Sequence, residues 1–201
     1  MVKALDSPIV SLNLPDQLHL KVTPAQFAEL AIANRDLRLE RTATGVLIVN
    51  PPTGGESGKR NLSISVQLGI WYEANDTLGE AFDSSTGFEL PNGANRSPDA
   101  AWVARERWET LTQEQREGFI PLCPDFVVEL RSKTDSLKKL QTKMQEYKDN
   151  GVKLGWLIDP QNQRVEIYRP GQGVELLQNP ETLSGESVLP GFTLSLKRIF
   201  A

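Results

Sequence analysis

Apolar residues recur along this chain with two periods, near 3.6 and near 2, and the switches between them divide it into helices and strands. In VTPAQFAELAIANRD, Phe27, Leu30 and Ala31 form a helical stripe. Thr23 can cap it, Pro24 suits the first helical position and Gln26 stands at capping-box spacing, so a helix is expected there. LRLER and GVLIVN then read as two short strands joined by a turn at Thr44-Gly45, a hairpin with Glu40 on its first strand. PPTGGESGKR, dense in Pro, Gly and small polar residues, predicts a mobile loop near a site, and it lacks the GxxxxGK[ST] spacing of a phosphate-cradling loop. NLSISVQLGIWYEAND predicts a second helix with Leu62, Val66 and Ile70 on one line.

Residues 81–90 and 99–103 read as strands separated by the turn-rich PNGANRSP, and RERWETLTQEQREGF as a polar helical excursion. CPDFVVELRS is a short apolar run typical of a buried strand, and SLKKLQTKMQEYKDNG is a helix closed by Asn150-Gly151 as a left-handed cap. VKLGWLIDP and RVEIYRP follow as strands joined by a turn at 161–163, and the last thirty residues end in short strands around VELLQ and FTLSLKRIF. Strands on both sides of the 137–150 helix suggest a crossover unit inside a mixed sheet. The expected fold is therefore α/β, a mixed sheet flanked by helices, with an N-terminal helix and hairpin, as one domain over 1–201. Residues 1–20, irregular and broken by Pro8 and Pro15, are expected to be an arm that docks on the body or on a second subunit.

Composition narrows the function classes. With 201 residues, 39% hydrophobic and 24% charged, the chain can bury a substantial core. A net charge of −4 and a pI near 5.2 leave no whole-molecule basic field to draw in nucleic acid, although the 22 Lys and Arg can still cluster on one surface. One cysteine, Cys123, and one histidine, His19, exclude an internal disulfide, a Cys-cluster zinc site and a His-rich metal site. Any metal must then bind oxygen, which favours Mg²⁺ or Mn²⁺. No apolar run is long enough for a membrane span and the first residues do not form a secretory signal, so a cytoplasmic protein without membrane partners is expected.

The candidate chemistry lies in three places. On an extended chain Asp125, Val127 and Glu129 point one way while Phe126, Val128 and Leu130 point the other, so two acids share a face. Their α carbons are roughly 13 Å apart, too far to grip one ion together. Glu129, deeper in the apolar run, is the stronger site residue, and Asp125 reads as a strand-start or hydrogen-bonded residue. Arg131 falls on the Glu129 face, where an ion pair and a substrate-phosphate contact are equally open readings. On the next helix Leu137, Leu140, Met144 and Tyr147 span an arc of roughly 80°, with Lys143 about 40° beyond its edge. Alone, such a lysine snorkels. Beside a carboxylate cluster it is drawn inward, where it can stabilise developing negative charge or orient a water. Asp99, after Pro98 at the head of a strand, reads as turn chemistry when taken alone.

Pro98-Asp99 followed by Glu129-Leu130-Arg131 resembles the PD-(D/E)XK nuclease superfamily. FDSSTGFELPNGANRSPDAAWV, LCPDFVVELRS, LKKLQTKMQEYKDNGVKLGWLIDP and LPGF together resemble the Uma-type restriction endonuclease family, a former domain of unknown function, across nearly everything after residue 20. The resemblance implies a restriction-endonuclease-like core in which Asp99 and Glu129, with the Leu130 carbonyl, hold Mg²⁺ or Mn²⁺ against a scissile phosphate. The lysine usually found two residues after the glutamate would be supplied by the helix as Lys143, because Arg131 occupies its place and an always-protonated arginine is a poor proton-transfer group. Glu40 matches a family acid and would be a further metal or water ligand. Lys133 stands where proline is common, a loop variation. The expected activity is Mg²⁺-dependent hydrolysis of phosphodiester bonds, in DNA rather than RNA, by a homodimer on the analogy of other nucleases. The rival expectations are a nuclease fold kept as an inactive binding or regulatory module, and a purely structural interaction protein.

Overall fold

The computed structural model describes residues 19–201, so the expected arm lies almost entirely outside the described residues. Helix α1 (Pro24–Ala33) begins at the expected capping box: the Gln26 amide donates to Thr23 Oγ1 at 3.2 Å and the Thr23 amide to Gln26 Oε1 at 2.9 Å. Strands β1 (Arg38–Arg41) and β2 (Leu47–Asn50) form the hairpin in antiparallel register. Helix α2 (Gly55–Glu73) corrects two expectations. It starts inside the glycine-rich segment, where Glu56 supplies an acid to the first turn and meets Lys59 at 2.9 Å, so only 51–54 remain as connection. Its buried line is Ile64, Leu68 and Trp71, while Leu62, Val66 and Ile70 stay exposed. The helix carries two apolar lines, and Trp71 decides between them by packing on Trp102 and Phe192.

Strands β3 (Gly79–Asp83) and β4 (Phe88–Glu89) replace the single expected strand over 81–90. Asp83 Oδ1 accepts from the Ser85 amide at 2.9 Å and turns the chain. At Gly87 the Phe119 ring comes within 2.3 Å of where a β carbon would stand, so any other residue would have to displace that ring. Strand β5 (Asn95–Arg96), unforeseen in PNGANRSP, joins β1 and β4 in a four-stranded sheet ordered β2-β1-β5-β4. Strand β6 (Ala100–Ala104) begins one residue after Asp99, and the polar excursion is two short helices, α3 (Arg105–Trp108) and α4 (Gln113–Glu117).

Strand β7 (Phe126–Leu130), helix α5 (Leu137–Asp149) and strand β8 (Leu154–Asp159) form the crossover, with β7 and β8 parallel. Gly151, at φ 102°, closes α5 in the left-handed region. Strands β9 (Arg164–Tyr168) and β10 (Glu175–Gln178) complete a six-stranded sheet ordered β10-β9-β8-β7-β6-β3, antiparallel except at β7/β8. Strands β11 (Thr182–Ser184) and β12 (Thr193–Ser195) pair separately. The segment expected as a final strand ends instead as helix α6 (Lys197–Phe200).

The chain is thus α/β, a mixed sheet with helices on both faces. Phe126, Val128, Leu130 and Trp156 pack on the face covered by α2 and α6. Val127 and Leu157 pack on the other face with Met144 and Tyr147 of α5. Burying Met144 and Tyr147 contributes about 2 kcal/mol each, which fixes α5 and with it the path of Lys143. Strand alternation then turns Glu129 toward α5. Among the described residues, no helix is long and apolar enough to cross a membrane.

Candidate active site

The site forms where β7 ends, between β6, β1 and α5. The register Ala100↔Val128 continues to Asp99 beside Glu129. The Asp99 amide donates to the Val128 carbonyl at 2.9 Å, and its Oδ2 accepts from the Leu130 amide at 2.8 Å. Asp99 is therefore held by the residues on both sides of Glu129, near enough for its charge to act on that carboxyl. Pro98 contributes no N–H, so the ladder stops there and the strand opens.

Lys143 extends from α5 to Glu129 Oε1 at 2.7 Å and Glu40 Oε1 at 2.9 Å, and also donates to the Ser97 carbonyl at 3.3 Å. Its side chain is only 13% exposed, so it does not snorkel into solvent. Tyr147, one turn further along α5, donates its hydroxyl to the same Glu129 oxygen at 3.1 Å. The hairpin brings Glu40 in from β1, where Arg96 holds its Oε2 at 3.2 Å and the Ser97 amide its Oε1 at 3.2 Å. Two residues earlier on the same strand, Arg38 lies 3.4 Å from Asp99 Oδ1 and donates to the Ser97 carbonyl at 2.7 Å.

These contacts set the charge states. Burial, with the nearby Asp99 and Glu40 charges, outweighs Lys143 and pushes the Glu129 carboxyl up to about 7. Burial alone would raise Glu40, yet Lys143 and Arg96 more than offset it and hold that carboxyl below its ordinary value. For Lys143 burial favours the neutral amine, but Glu129 and Glu40 prevail and keep it protonated above its usual range. Burial and the neighbouring carboxylates raise Tyr147 well above an ordinary phenol, so it acts here as a hydrogen-bond donor.

The other predicted residues sit elsewhere or in other roles. Asp125, fully buried on the Glu129 face, accepts from the Ala104 amide at 2.8 Å, with Arg107 and Lys153 at 3.0 and 2.9 Å from its other oxygen. It fastens the start of β7 and makes no contact with Asp99, Glu129 or Lys143. Arg131 pairs with Asp159 at 2.9 Å and donates to the Asp135 carbonyl, so the ion-pair reading describes its contacts and it does not touch Glu129. Both oxygens of Glu40 are taken up by Lys143, Ser97 and Arg96. Sequence reading missed Arg38, Arg96, Ser97 and Tyr147. Arg38 was within reach, because it alternates with Glu40 and so shares its face, as was Tyr147, one turn from Lys143.

A hard dication fits this donor set in one respect and meets a constraint in another. Among the described residues no three His, Cys, Asp or Glu side chains form a ready-made cage. Asp99 and Glu129 nevertheless offer two oxygen donors side by side. Glu129 directs its protein contacts to Oε1, and its Oε2 accepts no hydrogen bond among the described residues. Two carboxylates with remaining positions left to carbonyl, water or phosphate oxygens is a usual Mg²⁺ arrangement.

A family model described as "Putative restriction endonuclease", Uma2, matches residues 24–197. Among solved structures, one described as a "putative nuclease belonging to DUF820" from Anabaena variabilis superposes with a TM-score of 0.67 at 23% identity. The match covers 81% of this chain and 89% of that one, and at this identity it shows a shared fold. No curated protein matches the chain.

Proposed function

The chain belongs to the Uma2 family, whose restriction-endonuclease description supports a nuclease role, and from that premise we propose that it is a metal-dependent endonuclease that hydrolyses phosphodiester bonds in DNA. The observation that carries this reading is the Lys143 ammonium 2.7 Å from Glu129, with Asp99 clamped beside that carboxylate. Asp99, Glu129 and the Leu130 carbonyl would hold Mg²⁺ or Mn²⁺. When bound, the ion supplies Lewis-acid polarisation of the phosphate and lowers the pKa of water. The protein's own groups do the rest. Tyr147 and Lys143 fix Oε1 of Glu129 and so leave Oε2 as the oxygen that would meet the ion. Lys143, held protonated, stabilises negative charge as it develops on the phosphate and orients the attacking water. Arg38, a third exposed at the mouth of the site, is placed to meet a non-bridging phosphate oxygen.

One observation favours a second reading, an inactive binding module: each acid of the site already has a cationic partner in the protein. The two readings separate in a cleavage panel of supercoiled plasmid, linear duplex, single-stranded DNA and RNA, run with Mg²⁺, Mn²⁺ or chelator. The nuclease reading expects DNA products that need the dication and fall at least about a hundredfold with Glu129→Gln. Intact nucleic acid under every condition, or undiminished cutting by the variant, overturns it.

A further inference from the structure

The second apolar line of α2 has no cover among the described residues: Leu62, Val66 and Ile70 are 63%, 49% and 68% exposed. Leu62 and Val66 border a groove of about 640 Å³ against α6, lined also by Lys59, Lys197 and Arg198. Such an unpartnered stripe marks an interaction surface. What distinguishes this one is its symmetry. On a regular helix Lys59, Leu62, Val66, Ile70 and Glu73 all fall within about 40° of Val66. They stand at −7, −4, 0, +4 and +7 from it. The two ends carry opposite charges, the two middle positions are both branched aliphatics, and the flanking positions Ser63 and Gly69 are both small.

We propose that α2 is the interface of a homodimer in which two copies of the helix pack antiparallel about a two-fold axis at Val66. An isologous contact requires residue i to meet j while j meets i. Antiparallel pairing about Val66 satisfies this: Lys59 meets Glu73 of the second copy, Leu62 meets Ile70, and Val66 meets itself. Parallel pairing would set Lys59 against Lys59 and Glu73 against Glu73, so charge selects the orientation. The present partner of Lys59 is Glu56 at 2.9 Å, an exposed pair that is readily exchanged. The surface lies on α2 and does not depend on the nuclease reading.

The test is sedimentation velocity on the full chain over a wide concentration range. Wild type is expected to dimerise. Val66→Glu, which sets two like charges against each other on the axis, is expected to be monomeric with an unchanged circular dichroism spectrum, since the position is half exposed. Lys59→Glu and Glu73→Lys should each weaken the dimer about tenfold, because each ion pair occurs twice, and the double swap should restore it. Val66→Cys should cross-link to its own copy under diamide, while the buried Cys123 does not. A wild type that is monomeric at every concentration overturns the proposal, whatever else covers the stripe. So does a dimer that survives Val66→Glu, or a double swap that fails to rescue.

Discussion

Replacing Lys143 with methionine keeps most of the stem and removes the ammonium, which lies 5.9 Å from the centre of the Tyr147 ring. Two ion pairs vanish, at 2.7 Å to Glu129 and 2.9 Å to Glu40, along with the 3.3 Å bond to the Ser97 carbonyl. Removing one partner of a buried ion pair costs about 3–5 kcal/mol when the other charge must stay. Glu40 retains Arg96, so most of the penalty falls on Glu129. That carboxyl already titrates at about 7, against 4.5 as its ordinary value. Losing Lys143 removes its main stabilising charge and moves it higher still. A carboxyl raised on folding contributes stability that is full below its unfolded pKa and is lost as pH climbs through its folded pKa. In wild type that loss levels off above about 7, whereas in Lys143→Met it continues upward. The destabilisation should therefore grow with pH, from about 1–2 kcal/mol at pH 5, where Glu129 is protonated in both proteins, to about 3–5 kcal/mol at pH 8.5. At pH 8.5 this corresponds to a Tm fall of roughly 6–20 °C for a chain of this size. Urea unfolding at three pH values measures it. A deficit that is constant, or that shrinks toward alkaline pH, refutes the assignment of Glu129 as the buried acid that Lys143 stabilises.

Tyr147→Phe removes the 3.1 Å bond to Glu129 and should cost about 1.5–3 kcal/mol, read by chemical denaturation, with roughly tenfold slower DNA cleavage as the carboxylate loses its orientation. Arg96→Leu leaves Glu40 and Glu146 each short of a cation and should destabilise by about 2–4 kcal/mol in the same assay, with the ¹³C titration of Glu40 moving upward. Asp125→Asn should lower stability by about 2–4 kcal/mol while leaving the cleavage rate of the folded protein unchanged, because its partners Arg107, Lys153 and Ala104 are not partners of Asp99, Glu129 or Lys143.

What the sequence disclosed follows the range of the forces involved. The capping box at Thr23, the hairpin and the α5 cap at Gly151 are local signals between neighbours in the chain, and each is present in the structure. The two lines of α2 are equally apolar by period, and only Trp102 and Phe192, remote in sequence, select Trp71 over Ile70. Strand β5 is two polar residues, buried because β1 and β4 close around them, so no propensity could reveal it. Asp99, Glu129 and Lys143 could be named because alternation and helical phase orient them. The grip of Arg96 on Glu40 and of Arg38 on Asp99 spans more than fifty residues and depends on how the hairpin sheet meets the main one.

The central claim is that Asp99 and Glu129 together gather a hard dication, and Mn²⁺ binding followed by electron paramagnetic resonance tests it without any substrate. The account predicts one saturable site per chain that tightens as pH rises through about 7, where Glu129 ionises, and that is lost in Asp99→Asn. Binding that persists in that variant with the same strength and pH dependence, or a wild-type protein that takes up no Mn²⁺ at pH 8, contradicts it.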